Sequence, residues 1–119
     1  MNQSEIQKTI EAISAGIPTL IAVAIVEIDS GMSLGSISKD PNFDPEIASA
    51  YNAEVVKQKV AAMNALGIGD QSVEDILITL SNQIHIIRLT SDKKHFLYMA
   101  AKKETNLAMA RSVLKQNNI

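Results

Sequence analysis

Apolar residues recur along this chain with two spacings, one near 3.6 positions and one of 2 positions, which predict helices and strands respectively. The first segment has the helical spacing, and Ser4 followed by Gln7 is typical of a capping box at the start of a helix. We therefore predict a first helix that begins at Ser4 and is ended by Gly16 and Pro18. Its apolar positions are Ile6, Ile10 and Ile13.

The second helical segment, from Pro45 to Leu66, is apolar around well over half of its circumference. Asp44 suits the N-cap, and Gly67 suits a left-handed residue after the last turn. A helix that packs only on a core needs an apolar face about 100° wide. The wider coverage therefore favours a second contact, with another subunit, over a broad core face alone. One stripe consists of Ile47, Tyr51, Val55, Ala62 and Leu66, and Val56, Val60 and Met63 lie beside it.

Five further segments have the length and residue types of strands, and a third helix follows them. The segment Leu20–Ile28 is apolar at nearly every position, so we expect a central strand that is covered on both faces. The other predicted strands are Ser33–Ser38, Glu74–Leu80, Gln83–Leu89 and His95–Ala101, and the third helix is Thr105–Gln116.

The predicted element order is α-β-β-α-β-β-β-α within a single domain, residues 1–119. This order predicts an α+β fold, with a five-stranded antiparallel sheet and helices on both faces. We expect the two most apolar strands, the first and the fifth, to lie side by side at the centre. The third strand, Glu74–Leu80, then lies at the outer edge. Its apolar character favours antiparallel pairing with a second copy over cover by a loop.

Composition and charge exclude several classes of function. A hydrophobic content of 46% and a net charge of −2 fit an ordinary globular protein without general attraction to nucleic acid. Aromatic residues make up only 3% of the chain, too few for a base-stacking platform, and no cysteine is present to form disulfides or thiolate zinc sites. The longest apolar run, Leu20–Val26, is too short to span a bilayer, and the first five residues lack a basic signal region. We expect a cytoplasmic protein without direct membrane insertion.

Residues with catalytic or metal-binding chemistry do not form a recognisable motif. His85 and His95 lack a carboxylate cluster at ligand spacing, so we interpret both as structural. Asp29-Ser30-Gly31 suits a turn, and the Gly-x-Ser-x-Gly pattern of a serine nucleophile is absent. A phosphate-binding loop is absent too. We therefore predict no catalytic, metal-binding or cofactor-binding residues, and a protein that is not an enzyme.

Three local patterns resemble a known family. The first is the apolar strand that ends in Asp29-Ser30-Gly31 and is followed by Gly35-Ser36-Ile37. The second is the long alanine-rich helix that ends in Leu66-Gly67-Ile68-Gly69-Asp70. The third is the last strand, which runs into Glu104-Thr105-Asn106-Leu107-Ala108-Met109-Ala110-Arg111. In this order and spacing, which extend from Ile6 to Gln116, the patterns resemble the roadblock/dynein light-chain family.

The resemblance implies a profilin-like roadblock sandwich that forms a homodimer through helix two and the third strand. It also implies a regulatory or scaffold role, because prokaryotic members accompany small Ras-like GTPases, and such a GTPase is the expected partner. No residue matches an arginine finger. Lys59 is expected to snorkel or to pair with Glu54 of the partner subunit. The predicted dimer-interface residues are Tyr51, Val55, Val56, Lys59, Met63, Asp75, Leu77 and Thr79.

Two other functions stay open at this stage. One is a small-molecule-sensing domain of similar architecture, which would need a substantial apolar cavity with converging polar groups. The other is a purely structural subunit of a larger assembly.

Overall fold

The computed structural model describes every residue from Met1 to Ile119 and contains three helices and one sheet. All neighbouring strands are antiparallel, and their order in the sheet is β2-β1-β5-β4-β3. The predicted element order, the central pair of first and fifth strands and the outer position of the third strand are therefore confirmed. The elements are α1 (Gln3–Gly16), β1 (Leu20–Glu27), β2 (Ser33–Ser38), α2 (Pro45–Ala65), β3 (Asp75–Thr79), β4 (Gln83–Leu89), β5 (His95–Lys102) and α3 (Leu107–Gln116).

The sheet carries an apolar core on each of its faces, because successive side chains of a strand point to opposite sides. Along β1, Val23 and Ile25 pack with residues of α1 and α3, whereas Ala24 and Val26 pack with residues of α2. We call these two sides the α1/α3 face and the α2 face. The central strands β1 and β5 are buried on both sides, as their apolar sequences predict.

Both ends of α2 have the predicted caps. The carboxylate of Asp44 accepts a hydrogen bond from the backbone N–H of Glu46 at 2.9 Å. At the other end, Gly67 adopts a φ of +75°, and the N–H of Ile68 donates to the carbonyl of Met63 at 2.9 Å. This six-to-one bond after a left-handed glycine is a Schellman motif. It turns the chain away from the helix and toward β3.

The predicted N-cap of α1, Ser4, lies two residues after the observed N-cap. The side chain of Asn2 accepts a hydrogen bond from the N–H of Glu5 at 2.9 Å, so Asn2 is the N-cap and the helix begins at Gln3. Ser4, the predicted cap, lies inside the first turn. Asparagine and serine are equally good caps, and the residue spacing alone did not distinguish them.

The predicted start of α3 is, in contrast, too early. Its N-cap is Asn106, whose side chain accepts a hydrogen bond from the N–H of Met109 at 2.9 Å. Thr105, the predicted first residue, is buried outside the helix, and its hydroxyl lies 2.6 Å from the hydroxyl of Thr19. This contact joins the turn after β5 to the loop before β1.

The side of α2 that packs on the sheet differs from its most apolar stripe. The buried positions include the small or polar residues Ser49, Asn52 and Ala53, together with Val56 and Met63. The alternative in which the broad apolar stripe forms the core face is therefore wrong. The stripe itself lies on the outside of the helix.

Candidate functional site: an apolar helix stripe beside a free sheet edge

The outer side of α2 presents large apolar side chains to solvent. Tyr51 is 73% exposed, Leu66 is 70% exposed and Ile47 is 59% exposed. We call this surface the α2 stripe. It consists of Ile47, Tyr51, Val55, Ala62 and Leu66, all of them exposed. Scattered single apolar residues are normal on a protein surface, but a continuous row along one helix indicates a contact surface.

Strand β3 supplies the second part of the site because it is an outer strand. It pairs only with β4, so its other backbone edge has no partner strand. Ile76 packs on the α2 face and Leu77 packs on the α1/α3 face. By the alternation of a strand, Ile78 follows Ile76 onto the α2 face. Leu80, just beyond the strand, is 44% exposed.

Because of this alternation, the predicted interface residues of β3 lie on the opposite face of the sheet from those of α2. Asp75, Leu77 and Thr79 share the α1/α3 face, where Asp75 forms an ion pair with Arg111 of α3. The β3 side chains on the same face as α2 are instead Ile76 and Ile78. Sequence reasoning recognised both alternating sets but had no signal for which set faces α2. That choice depends on which helix covers which side of the sheet.

The predicted interface residues of α2 also fall into two groups. Tyr51, Val55 and Lys59 are exposed, whereas Val56 and Met63 are only 1% and 7% exposed. Val56 belongs to the apolar cluster between α2 and the sheet. Met63 lines the cleft between α2 and the loop that follows it. Both buried residues are thus engaged within the chain, whereas the exposed three are accessible to another chain.

One helix does not cover the whole α2 face. Helix α2 packs on β1 and β2, and the open part beyond it, above β4 and β3, contains His85. The imidazole of His85 meets the rings of Phe43 and Tyr98 edge to face, with centroids 6.1 and 5.5 Å away. In the β3–β4 register, Ile78 stands directly opposite His85. This half-open surface connects the α2 stripe to the edge of β3.

The polar atoms around His85 form a short network. Its Nε2 lies 2.9 Å from Oε1 of Gln83, and its Nδ1 lies 3.3 Å from the hydroxyl of Tyr98. Burial lowers the pKa of His85, so the neutral ring is favoured. Burial also raises the pKa of Tyr98, while a hydrogen bond with Asn52 acts in the opposite direction. The neutral network suits a surface that loses water when a partner covers it.

The second histidine, His95, stabilises the turn between β4 and β5. His95 pairs with Asp92, with 3.0 Å between Nδ1 and the carboxylate oxygen. The hydroxyl of Thr90 donates to Asp92 at 2.6 Å and is the largest cause that lowers the pKa of Asp92 to about 2. No three histidine or acidic side chains come together in a group that could hold a metal ion. None of the helices is long and apolar enough to cross a membrane.

A separate cleft of about 480 Å³ lies between the C-terminal half of α2 and the loop 68–73. Half of its lining is apolar, including Val56, Val60 and Leu89. Lys57 and Lys93 are among its polar lining residues. Its size lies within the range of small-molecule sites. The cleft is therefore the feature on which the small-molecule alternative depends.

Comparison of the whole fold with solved structures gives extensive matches at low sequence identity. A roadblock/LC7 domain from Streptomyces avermitilis superposes with a TM-score of 0.78 and 14% identity, over 92% of this chain and 88% of that chain. MglB of Myxococcus xanthus gives a TM-score of 0.85 and 13% identity, over 98% and 84%. MglC of the same organism gives 0.61 and 22%, over 95% and 92%.

No protein-family model matches the sequence, and no curated protein matches it. The likeness is therefore one of structure: the same helices and antiparallel strands, over nearly the full length of each chain. The family resemblance carried by the strand ends, the long helix and the last helix is confirmed at this level. The chain has the roadblock/LC7 fold.

Proposed function

We propose that this protein is a non-enzymatic regulator or scaffold that acts as a homodimer and binds a small Ras-like GTPase. The observation that carries the dimer is the exposed apolar α2 stripe next to the unpaired edge of β3. Each feature alone would be a liability for a soluble chain, since one invites non-specific association and the other invites strand addition. One symmetric contact with a second copy covers both.

The strand part of the contact follows from the position of β3. Two copies of β3 that run antiparallel across a two-fold axis join two five-stranded sheets into one continuous sheet. Backbone hydrogen bonds supply the pairing, so it does not require a particular side chain from Asp75, Leu77 or Thr79. The same operation brings Ile76 and Ile78 of both copies onto one face.

The helix part of the contact follows from the side on which α2 lies. Both copies of α2 would sit on the shared α2 face, with their stripes directed toward the axis. Tyr51 is the expected anchor, because its exposed ring offers a large contact area at little cost in side-chain entropy. Lys59 is exposed beside the stripe. Glu54, its expected partner in the second copy, already lies 3.4 Å from Lys57 in its own helix. A cross-dimer pair would have to compete with that contact.

The GTPase partner is proposed from the family resemblance. Two similar structures, from Myxococcus xanthus and Thermus thermophilus, are of MglB, and the second is described as a gliding protein. A further MglB structure is described as having a tetrameric arrangement. A protein of the same fold with such an arrangement supports a role in protein association for this chain.

The oligomeric state is tested by sedimentation velocity at micromolar concentration. We expect a dimer, and Tyr51→Lys should raise its dissociation constant by about thirtyfold, the loss typical of an interface anchor. The matched control is Met109→Lys, which adds the same charge to a partly exposed apolar position on α3, away from the interface. A stable wild-type monomer, or equal losses in both variants, would refute the dimer proposed here.

The partner is tested by affinity purification with Ras-like GTPases of the source organism, each loaded with GDP or a non-hydrolysable GTP analogue. We expect at least one GTPase to bind with a preference for one nucleotide state. If the dimer is intact and none of the GTPases binds in a nucleotide-dependent manner, a GTPase is refuted as the partner and the scaffold role is left as the proposed function.

The cleft beside loop 68–73 favours small-molecule binding as a second candidate function. Half of its lining is apolar, and its two lysines outnumber its one carboxylate, Asp29, so the cleft suits a small amphipathic anion. A fatty-acid panel in a thermal-shift assay tests this, with Val60→Glu as the blocking variant. Equal ligand-induced shifts in melting temperature for the wild type and Val60→Glu would show that the ligand does not bind in this cleft.

A further inference from the structure

A different cleft, of about 610 Å³, lies at the start of β3 on the α1/α3 face. It is bounded by the β3–β4 pair and by α3. We call it the α3 cleft. Unlike the α2 surface, it is almost entirely polar, with one apolar lining residue. Its lining residues are Glu74, Asp75, Arg88, Ala108, Arg111, Ser112 and Lys115.

Arg88 lines this cleft and forms no ion pair. Its Nε is buried and makes no hydrogen bond. The three ion pairs of the structure are Lys57–Glu54, His95–Asp92 and Arg111–Asp75, so Arg88 has no carboxylate partner. A buried donor without an acceptor is destabilising, and Nε is the one guanidinium nitrogen of Arg88 in this state. The Nε–H group therefore lacks an acceptor.

The local register explains why Arg88 has no partner. Asp75 stands directly opposite Arg88 in the β3–β4 ladder and would be its natural counter-ion. The carboxylate of Asp75 is instead held by Arg111, with its two oxygens 3.0 Å from Nε and 3.4 Å from Nη2. Helix α3 thus brings a second arginine to the only carboxylate that could neutralise the first one across the ladder.

The charges of the cleft determine the kind of ligand. Three cations, Arg88, Arg111 and Lys115, face two carboxylates, Glu74 and Asp75. The cleft therefore has a formal charge of +1, although the whole chain has a net charge of −2. One added negative charge neutralises the site. A dianionic phosphate would leave the site with a net negative charge and would be repelled by Glu74 and Asp75. A single carboxylate also matches the planar fork of a guanidinium.

We propose that the α3 cleft binds one carboxylate side chain from an acidic segment of a partner protein. The incoming oxygens accept hydrogen bonds from the Arg88 guanidinium, and Lys115 and the hydroxyl of Ser112 complete the cradle. Glu74, exposed at the rim, competes with the ligand for the same cations. The site lies on the face of the sheet opposite α2, so it offers a contact that the proposed dimer interface does not provide.

The test is an NMR titration of the full chain that follows the Arg Nε–Hε resonances. The probe is a capped peptide of alternating glutamate and glycine, and the matched peptide has glutamine in place of glutamate. We expect saturable shifts at Arg88 with the acidic peptide only. Arg88→Gln should weaken binding by about tenfold or more, as for other charge-assisted hydrogen bonds. Glu74→Gln should strengthen it, because a competing carboxylate is removed.

Lys103→Gln is the control, since it removes one positive charge from an exposed position outside the cleft. It should bind like the wild type. Circular dichroism melting of every variant separates lost binding from lost folding. Arg88→Lys keeps the positive charge but not the planar guanidinium, so it should bind with intermediate affinity. Equal binding of both peptides, equal loss in Arg88→Gln and Lys103→Gln, or tighter binding of inorganic phosphate than of the peptide would overturn the proposal. Sedimentation of Arg88→Gln should still give the dimer, so a failure here is distinct from a failure of the dimer.

Discussion

The two faces of the sheet are built differently. The α1/α3 face is covered by two helices over a core of 14 buried apolar residues, whereas the α2 face has one helix over a core of nine. The α2 face places small and polar residues such as Ser49 and Asn52 under its helix and leaves Tyr51 and Leu66 outside. Hydrophobic burial within the chain is thus concentrated on the first face. The second face keeps apolar surface available for another molecule.

The largest expected effect on stability comes from removing a core side chain of the α1/α3 face. Ile13 is fully buried there, so Ile13→Ala should lower the free energy of unfolding by about 3 kcal/mol, from lost burial and a new cavity. Urea denaturation in the Tyr51→Lys background, at a protein concentration below its raised dimer dissociation constant, measures this loss. Ile47→Ala is the control on the α2 stripe and should cost less than about 0.5 kcal/mol there. Similar losses at both positions would mean that the two faces are not different.

The neighbouring residues Leu77 and Ile78 test the assignment of the β3 faces. Leu77 packs on the core of the α1/α3 face, so Leu77→Lys should lower the stability of the single chain by about 2 kcal/mol. Ile78→Lys should have less effect on folding and should raise the dimer dissociation constant by about tenfold. Chemical denaturation and sedimentation equilibrium measure the two quantities. The reverse pattern would place the interface on the α1/α3 face.

His85 gives the α2 face a predicted pH dependence. Burial holds its pKa below the usual value of 6.5, so the unfolded chain takes up a proton at a higher pH than the folded chain does. The stability associated with neutral His85 is therefore complete above about pH 6.5 and is lost as the pH falls toward the folded pKa. Between about pH 7 and pH 5, the wild type should lose more unfolding free energy than His85→Gln. Parallel curves for the two proteins would contradict this.

The smallest expected effect concerns the Asp75–Arg111 ion pair of the α1/α3 face. The Arg111 side chain is 43% exposed, so solvent screens the pair. Arg111→Gln should lower the free energy of unfolding by about 0.5 kcal/mol. A much larger loss in urea denaturation would show that charge, and not only apolar burial, stabilises this face.

Local chemistry predicted most of the fold. The apolar runs of β1 and β5 require cover on both sides, and this requirement placed them at the centre of the sheet. Asp44 and Gly67 marked the ends of α2 because capping and left-handed backbone have strict chemical preferences. The same chemistry did not separate Asn2 from Ser4, or Asn106 from Thr105, because each pair contains two suitable side chains.

The site was predicted less completely, for a physical reason. The apolar surplus of α2 and β3 is visible in the sequence, and Tyr51 and Val55 are exposed as an interface requires. Val56 is instead buried against the sheet. Periodicity shows that a helix has an apolar side, but the inward direction is set by the strands beneath it. The unpartnered charge of Arg88 gave no signal at all, because it depends on contacts between residues far apart in the chain.

The sequence by itself determined the elements, their order, the central strands and the excess of apolar surface, because these depend on local periodicity and on the need to cover apolar side chains. Only the tertiary structure decided which side of α2 faces out, which side chains of β3 share its face, and which arginine holds Asp75. Those outcomes depend on the packing of a helix against a twisted sheet and on the strand register, where a rotation or a shift by one residue exchanges one set of side chains for the other.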